Sequence, residues 1–130
     1  MFRLIFIILA GLLYACAARG PSEQSTRQLT EIDNGRSIEL RVGDILEVTL
    51  PANPTTGFQW EVSEVDNAIL RPIGEPKFEP SSNAVGSGGQ VTFRFEAIGT
   101  GQTALKLIHH RAFEEDVPPI ETFEVNITVT

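Results

Sequence analysis

The sequence has one cysteine, Cys16, and two histidines, His109 and His110. A lone cysteine closes no internal disulfide, so the fold has to hold by packing. The scarcity also bears on catalysis. Cys16 stands apart from the patterned part of the chain, so a nucleophile would have to be a serine or threonine beside a base. The two histidines are neighbours on a strand-like stretch, where consecutive side chains point to opposite faces. They cannot share one catalytic or metal site, and no cysteine or carboxylate cluster completes a metal set around either. The expectation is a protein that is not an enzyme and carries no metal or cofactor. Basic residues are also few, 10 against 17 acidic, for a net charge of −7. Neutralising phosphates needs a basic face, so nucleic-acid binding is excluded. No long block of like charge occurs, and Glu114, Glu115 and Asp116 read as a solvated loop. No stretch of helical length shows a 3.6-residue period.

Long apolar runs are absent after the first sixteen residues. There, Arg3 is followed by an uninterrupted apolar run over 4–15. It is shorter than the roughly 20 residues that span a bilayer, and reads as an export leader. Its end, Leu13-Tyr14-Ala15-Cys16, resembles a bacterial lipoprotein signal. That resemblance implies that Cys16 becomes the lipid-modified first residue of the mature chain, held at a membrane of the bacterial cell envelope. Ala17, rather than aspartate, implies outer-membrane sorting by the same likeness. An ordinary cleaved signal is the other reading of this run. Loss of the leader removes Arg3 and leaves nine basic against 17 acidic side chains, a charge of −8. Residues 17–28 are small, polar and without apolar period, which fits a flexible tether. The expected organisation is a leader over 1–15, a lipidated cysteine and tether over 16–28, and one domain over 29–130.

That domain alternates. Ile38, Leu40 and Val42 alternate with Glu39 and Arg41. Leu46, Val48 and Leu50 alternate with Glu47 and Thr49, and Phe58, Trp60 and Val62 with Gln59 and Glu61. Val91, Phe93, Phe95 and Ala97 share one face, as do Leu105, Leu107 and His109, and Phe123, Val125, Ile127 and Val129. Period-two alternation puts one face in a core and the other in water. Turn signals at Asp33-Asn34-Gly35, Gly43-Asp44 and Gly99-Thr100-Gly101 separate the runs. The class is all-β, an antiparallel sandwich or barrel. Residues 68–74 form a poorer strand, which Pro72 assigns to an edge. Trp60 with Phe58, Phe93, Phe95 and Phe123 is expected to supply much of the core area.

Three connections are richer than a hairpin requires. The first is Pro51-Ala52-Asn53-Pro54-Thr55-Thr56-Gly57. The second runs from about Glu75 to Gly89 and ends Gly86-Ser87-Gly88-Gly89. The third starts Arg111-Ala112-Phe113 and continues to Pro118-Pro119. Two strands separate the first from the second, and two more the second from the third. An even number of crossings returns the chain to the same end, so all three loops are expected at one pole. Pro51 and Pro54 stiffen the first loop, and Gly57 can take a positive φ. Thr55 and Thr56 are β-branched and uncharged. Gly88 and Gly89 leave backbone bare for a partner. Phe113 beside Arg111 is the kind of pair that anchors interfaces.

These motifs resemble those of the chagasin-type inhibitors of papain-like cysteine peptidases, in which they are written NPTTG, GxGG and RPW. The first two stand here in full, as residues 53–57 and 86–89. The third keeps Arg111 but has Ala112 and Phe113 in place of proline and tryptophan. The resemblance covers roughly residues 29–130 and implies an immunoglobulin-like antiparallel β-sandwich. It implies a reversible, competitive inhibitor acting as a monomer, whose loops enter the peptidase cleft. Asn53, Pro54, Thr55, Thr56, Gly57 and Phe58 would form the central contact, with Thr55 nearest the catalytic cysteine. Gly86, Gly88 and Gly89 would meet one wall, and Arg111, Ala112 and Phe113 the other. His109 stands where the family often has tyrosine. The competing reading is an immunoglobulin-like adhesion or assembly module of the envelope that uses the same loops on a partner other than a peptidase.

Overall fold

A computed structural model describes residues 24–130. The expected leader, Cys16 and most of the expected tether lie outside these described residues. The described chain forms nine strands: β1 Thr26–Leu29, β2 Ser37–Leu40, β3 Ile45–Ala52, β4 Gln59–Glu64, β5 Leu70–Pro72, β6 Lys77–Pro80, β7 Gly89–Ala97, β8 Gly101–His110 and β9 Glu121–Val129. Among the described residues the helical turns are two short 3-10 segments, Glu31–Asp33 and Pro54–Thr56. The strands form two sheets. One runs β1-β3-β7-β5 with β6 also on β7, and the other runs β2-β9-β8-β4.

The core lies between them, as the alternation requires. Leu46, Val48, Leu50, Phe93, Phe95 and Ala97 face inward from the first sheet. Ile38, Leu40, Leu105, Leu107, Phe123, Val125, Ile127 and Val129 meet them from the second. Trp60 and Val62 pack on the margin. Phe58 is not in the core but in the loop cluster described below. Val42 is 52% exposed, because β2 ends at Leu40 and the chain has already turned.

The sandwich is not wholly antiparallel. β1 runs parallel to β3, with Thr26 opposite Ile45 and Leu29 opposite Val48, and β2 runs parallel to β9. The reason lies in the order of crossings. Each strand reverses the chain, and β2 is inserted in the opposite sheet between β1 and β3, so β1 and β3 point the same way. Counted in this manner, β9 points with β2. The fold also begins earlier than expected, at Thr26. β1 buries only Leu29 and is held by its backbone ladder to β3, so the sequence TRQL shows no apolar period.

Two short strands replace one weak strand and part of a long loop. β5 pairs with the far half of β7 (Leu70 opposite Ala97), and β6 with its near half (Phe78 opposite Val91). Between them the chain stays against β7 through the Ile73 amide, which donates to the Arg94 carbonyl at 2.8 Å. β5 and β6 are therefore one interrupted crossing along an edge of the sheet, as Pro72 required. The second loop shrinks to residues 81–88. Because the two pieces count as one crossing, the even number survives, and all three unusual loops leave the same end.

Candidate functional site

The topology decides how the three loops are arranged. β3 and β4 belong to different sheets, so the first loop must cross from one to the other. The second loop joins β6 to β7 within the first sheet, and the third joins β8 to β9 within the second. The first loop therefore lies between the other two.

Its own conformation is closed by side chains. Asn53 precedes the 3-10 turn with extended backbone, and its Oδ1 accepts from the Thr55 amide at 3.2 Å and the Thr55 hydroxyl at 2.6 Å. Asparagine is a preferred cap because its short side chain reaches these otherwise unpaired amides. Pro54 occupies the first turn, where an N–H has no helical partner anyway. The Thr56 hydroxyl donates to the Asn53 carbonyl at 2.8 Å and accepts from the Phe58 amide at 3.3 Å. Gly57 ends the turn at φ +86°. A Cβ there would be strained by that φ and would stand 3.3 Å from the Phe113 ring. The loop enters through Pro51, at a point where β1 has already ended and leaves one edge of β3 open. The Trp60 indole N–H donates to the Pro51 carbonyl at 2.9 Å and ties the two stems together.

The neighbours are bonded to this centre. Asn53 Nδ2 donates to the Gly86 carbonyl at 3.2 Å, which joins the first loop to the second. Arg111 Nε donates to the Thr56 carbonyl at 3.2 Å, and its guanidinium lies 4.2 Å from the Phe58 ring centre, which joins the first loop to the third. A cation over an aromatic face is attractive, and more so where water is partly excluded. Thr55, Ala112 and Phe113 are exposed, Phe113 at 72%. Within the second loop the Ser81 amide and hydroxyl both donate to the Gly88 carbonyl, at 3.0 and 2.7 Å. Gly88 sits against the Ala52 carbonyl and Asn53, where a Cβ would be 3.2 Å from that oxygen. Gly89 is different. A Cβ on it would collide with the Glu79 carbonyl and Pro80, so its bare backbone is used by the hairpin itself. The first two loops carry no charged side chain, whereas the third carries Arg111, Glu114, Glu115 and Asp116. Arg111 and Glu114 approach to 3.8 Å, and Asp116 adopts φ +63°.

Two features of the site go beyond the motif residues. His109 is 9% exposed and stacks flat on Trp60, with ring centres 4.6 Å apart and planes within 6°. It also tilts against Phe58 at 5.7 Å, and its Nδ1 lies 3.2 Å from Glu121 Oε1. Its place on the inward row with Leu105 and Leu107 was the signal that it supports the loops from below. His110 faces the other way, with Nε2 3.3 Å from Glu61 Oε1. The second feature is Val85, whose side chain at the tip of the second loop is fully exposed.

Residues 39–127 match the family described as Chagasin family peptidase inhibitor I42. The chain belongs to the chagasin family. It is 30% identical over 104 residues to chagasin of Trypanosoma cruzi, covering 77% of this chain and 94% of that one. It is 25% identical over 101 residues to amoebiasin-1 of Entamoeba histolytica, covering 78% and 97%. Among solved structures, the cysteine protease inhibitor EhICP2 of Entamoeba histolytica superposes with a TM-score of 0.75 at 19% identity, covering 85% of this chain and all of that one. PbICP-C, solved in complex with falcipain-2, gives 0.53 at 14% identity, covering 87% and 95%. The chagasin family consists of peptidase inhibitors and not enzymes.

Proposed function

We propose that this protein is a reversible, competitive inhibitor of papain-like cysteine peptidases that fills the active-site cleft with its three loops. The observation that carries this reading is the bonded triplet at one pole: Asn53 to Gly86 on one side, Arg111 to Thr56 on the other. A surface ordered before contact loses little conformational entropy on docking. Thr55, exposed at the middle of the triplet, meets the catalytic cysteine. It is uncharged and β-branched, so it fills space beside a thiolate without bringing a repelling carboxylate. Pro54, Thr56, Gly57 and Phe58 hold it there. Gly86 and Gly88 bring backbone close to one wall, with Gly89 closing the hairpin behind them, and Arg111, Ala112 and Phe113 meet the other. No covalent step is needed. Substrate occupies the same cleft, so inhibition is competitive. Ala112 lacks the φ restraint of a proline, and Phe113 has no ring N–H donor. Both changes retune which peptidases are held.

The reading extends to location. Cys16, lipid-modified after removal of residues 1–15, would hold the inhibitor at an envelope membrane, most simply the outer one. Replacing Cys16 by serine is expected to move the protein from the detergent phase to the aqueous phase. Unchanged partition sinks the anchor but not the inhibitor. For the inhibitor, residual activity of papain or a cathepsin is titrated with the protein and with its Thr55→Arg and Phe113→Ala variants. Thr55→Arg is expected to abolish inhibition and Phe113→Ala to weaken it. Parent-like inhibition by both variants rules the wedge out.

A further inference from the structure

We propose that His109 is a positioning residue of the loop cluster and that its protonation loosens the cluster, so that the protein holds a peptidase less tightly in mild acid. The inference rests on the inhibitor reading and deepens it, adding a regulation of the same site. Among the side chain types gathered at this pole, imidazole is the one whose charge ordinarily changes between about pH 5 and 8.

Three observations carry it. First, one buried ring touches the aromatic anchors of two loops. His109 stacks on Trp60, whose indole N–H holds the stem of the first loop at the Pro51 carbonyl. It also tilts against Phe58, which carries the Arg111 guanidinium that binds the Thr56 carbonyl. Second, its two nitrogens are unequal. Nδ1 lies 3.2 Å from Glu121 Oε1, and a carboxylate only accepts, so Nδ1 carries the hydrogen of the neutral ring. Nε2 is buried and, among the described residues, has no hydrogen-bond partner. Third, the charged groups around it do little to hold a second proton. From β9, Glu121 is 63% exposed, so water screens its attraction. From β4, Glu61 points to the other face and meets His110, which itself points away from His109. The third loop brings Arg111, a cation. Glu31, in the connection from β1 to β2, borders the same recess as Trp60 and Glu121 but is exposed.

In the neutral ring, Nε2 is an unpaired acceptor, which costs far less than an unpaired charge. Proton uptake there places the N–H of a cation in a buried site with no acceptor among the described residues. The Trp60 face attracts the charge, but Arg111 over the neighbouring Phe58 opposes it. The ring relieves the cost by turning Nε2 towards water, and to turn it must leave the stack on Trp60. The stem tie at Pro51 and the platform under Arg111 then lose their support. The order that favours docking is lost with them. The inhibitor therefore holds its target near neutral pH and lets go where the surroundings are acidified.

The chain has one tryptophan, so the fluorescence of Trp60 reports the stack with no peptidase present. As pH is lowered from about 7.5 to about 5, emission of the parent and of His110→Gln is expected to change in one step. Emission of His109→Tyr and His109→Phe should stay flat, since neither replacement takes up a proton in this range. Inhibition of papain is then measured at both ends of the range. The Ki of the parent divided by that of His109→Tyr cancels the enzyme's own pH dependence, and this ratio is expected to rise about tenfold in acid. Strand circular dichroism of the parent should not move; if it does, the acid effect is global unfolding and the inference falls. No step in parent emission, or a step with a constant Ki ratio, overturns the inference and leaves the wedge standing. If the parent inhibits at neither pH, both fall.

Discussion

Asn53 serves two loops at once. Its side-chain Oδ1 closes the first loop on Thr55, and its side-chain Nδ2 donates to the Gly86 carbonyl of the second. Replacing it with alanine removes a cap worth about 1 kcal/mol and the link between loops. The expected outcome is a small fall in melting temperature with a rise in Ki of roughly tenfold, since about 1.4 kcal/mol of lost preorganisation is one decade. A melting curve and an inhibition titration on the same sample separate the two effects. Asp44 gives a residue-scale test at the opposite pole. Partial burial pushes its pKa up, but the amides of Arg41 and Ser25 donate to its carboxylate and pull it further down, so the folded value is lowered. A lowered folded value means stability that is present above the unfolded pKa and lost as pH falls through the folded one. Asp44→Asn should therefore lower the melting temperature at neutral pH, with the difference shrinking in the acidic range below the ordinary aspartate value. A difference that grows with acid contradicts the assignment. Residue roles were unevenly legible. The spacing of NPTTG announced the first loop, but the role of His109 depends on Trp60 and Glu121, which only pairing of β4, β8 and β9 brings beside it.

Among the elements, those with alternating faces were readable and those without were not. β3, β7, β8 and β9 each bury a regular row, and that row is visible in the sequence. β1 buries one residue, and β6 none fully. Both exist because a neighbour's backbone offers a ladder, a cause that no local pattern records. Phe58 departs from its expected core place for a related reason. It continues the alternation of β4 but stands just before the strand begins, so it turns into the loop cluster beneath Arg111. The β6–β7 hairpin supplies a test of element stability. Gly89→Val puts a side chain into the Glu79 carbonyl and Pro80. It is expected to loosen this hairpin and raise hydrogen exchange over residues 77–92, while amides of β8 and β9 stay protected. Unchanged protection across the hairpin contradicts the packing role given to Gly89.

At the scale of the molecule, direction is conserved by counting. With β5 and β6 as one crossing, nine strands place the three loops at one pole and both ends of the described chain at the other. There the Ile45 amide donates to the Ser25 carbonyl and the Val42 amide to the Thr130 carbonyl. A tether entering at Gln24 would leave the loops facing away from any membrane holding Cys16. Protein bound to vesicles is thus expected to inhibit a soluble peptidase as well as the released domain does. Phe95, fully buried between the sheets, is the measure of how far this architecture depends on one core. Truncation to alanine should cost about 3–5 kcal/mol, read from chemical unfolding. The central claim concerns the pole where the loops meet, and the most direct measurement is the inhibition of a papain-like peptidase at several substrate concentrations. Apparent Ki rising in proportion to substrate, and lost in Thr55→Arg, is the result the account predicts. No inhibition, or a Ki indifferent to substrate, would contradict it.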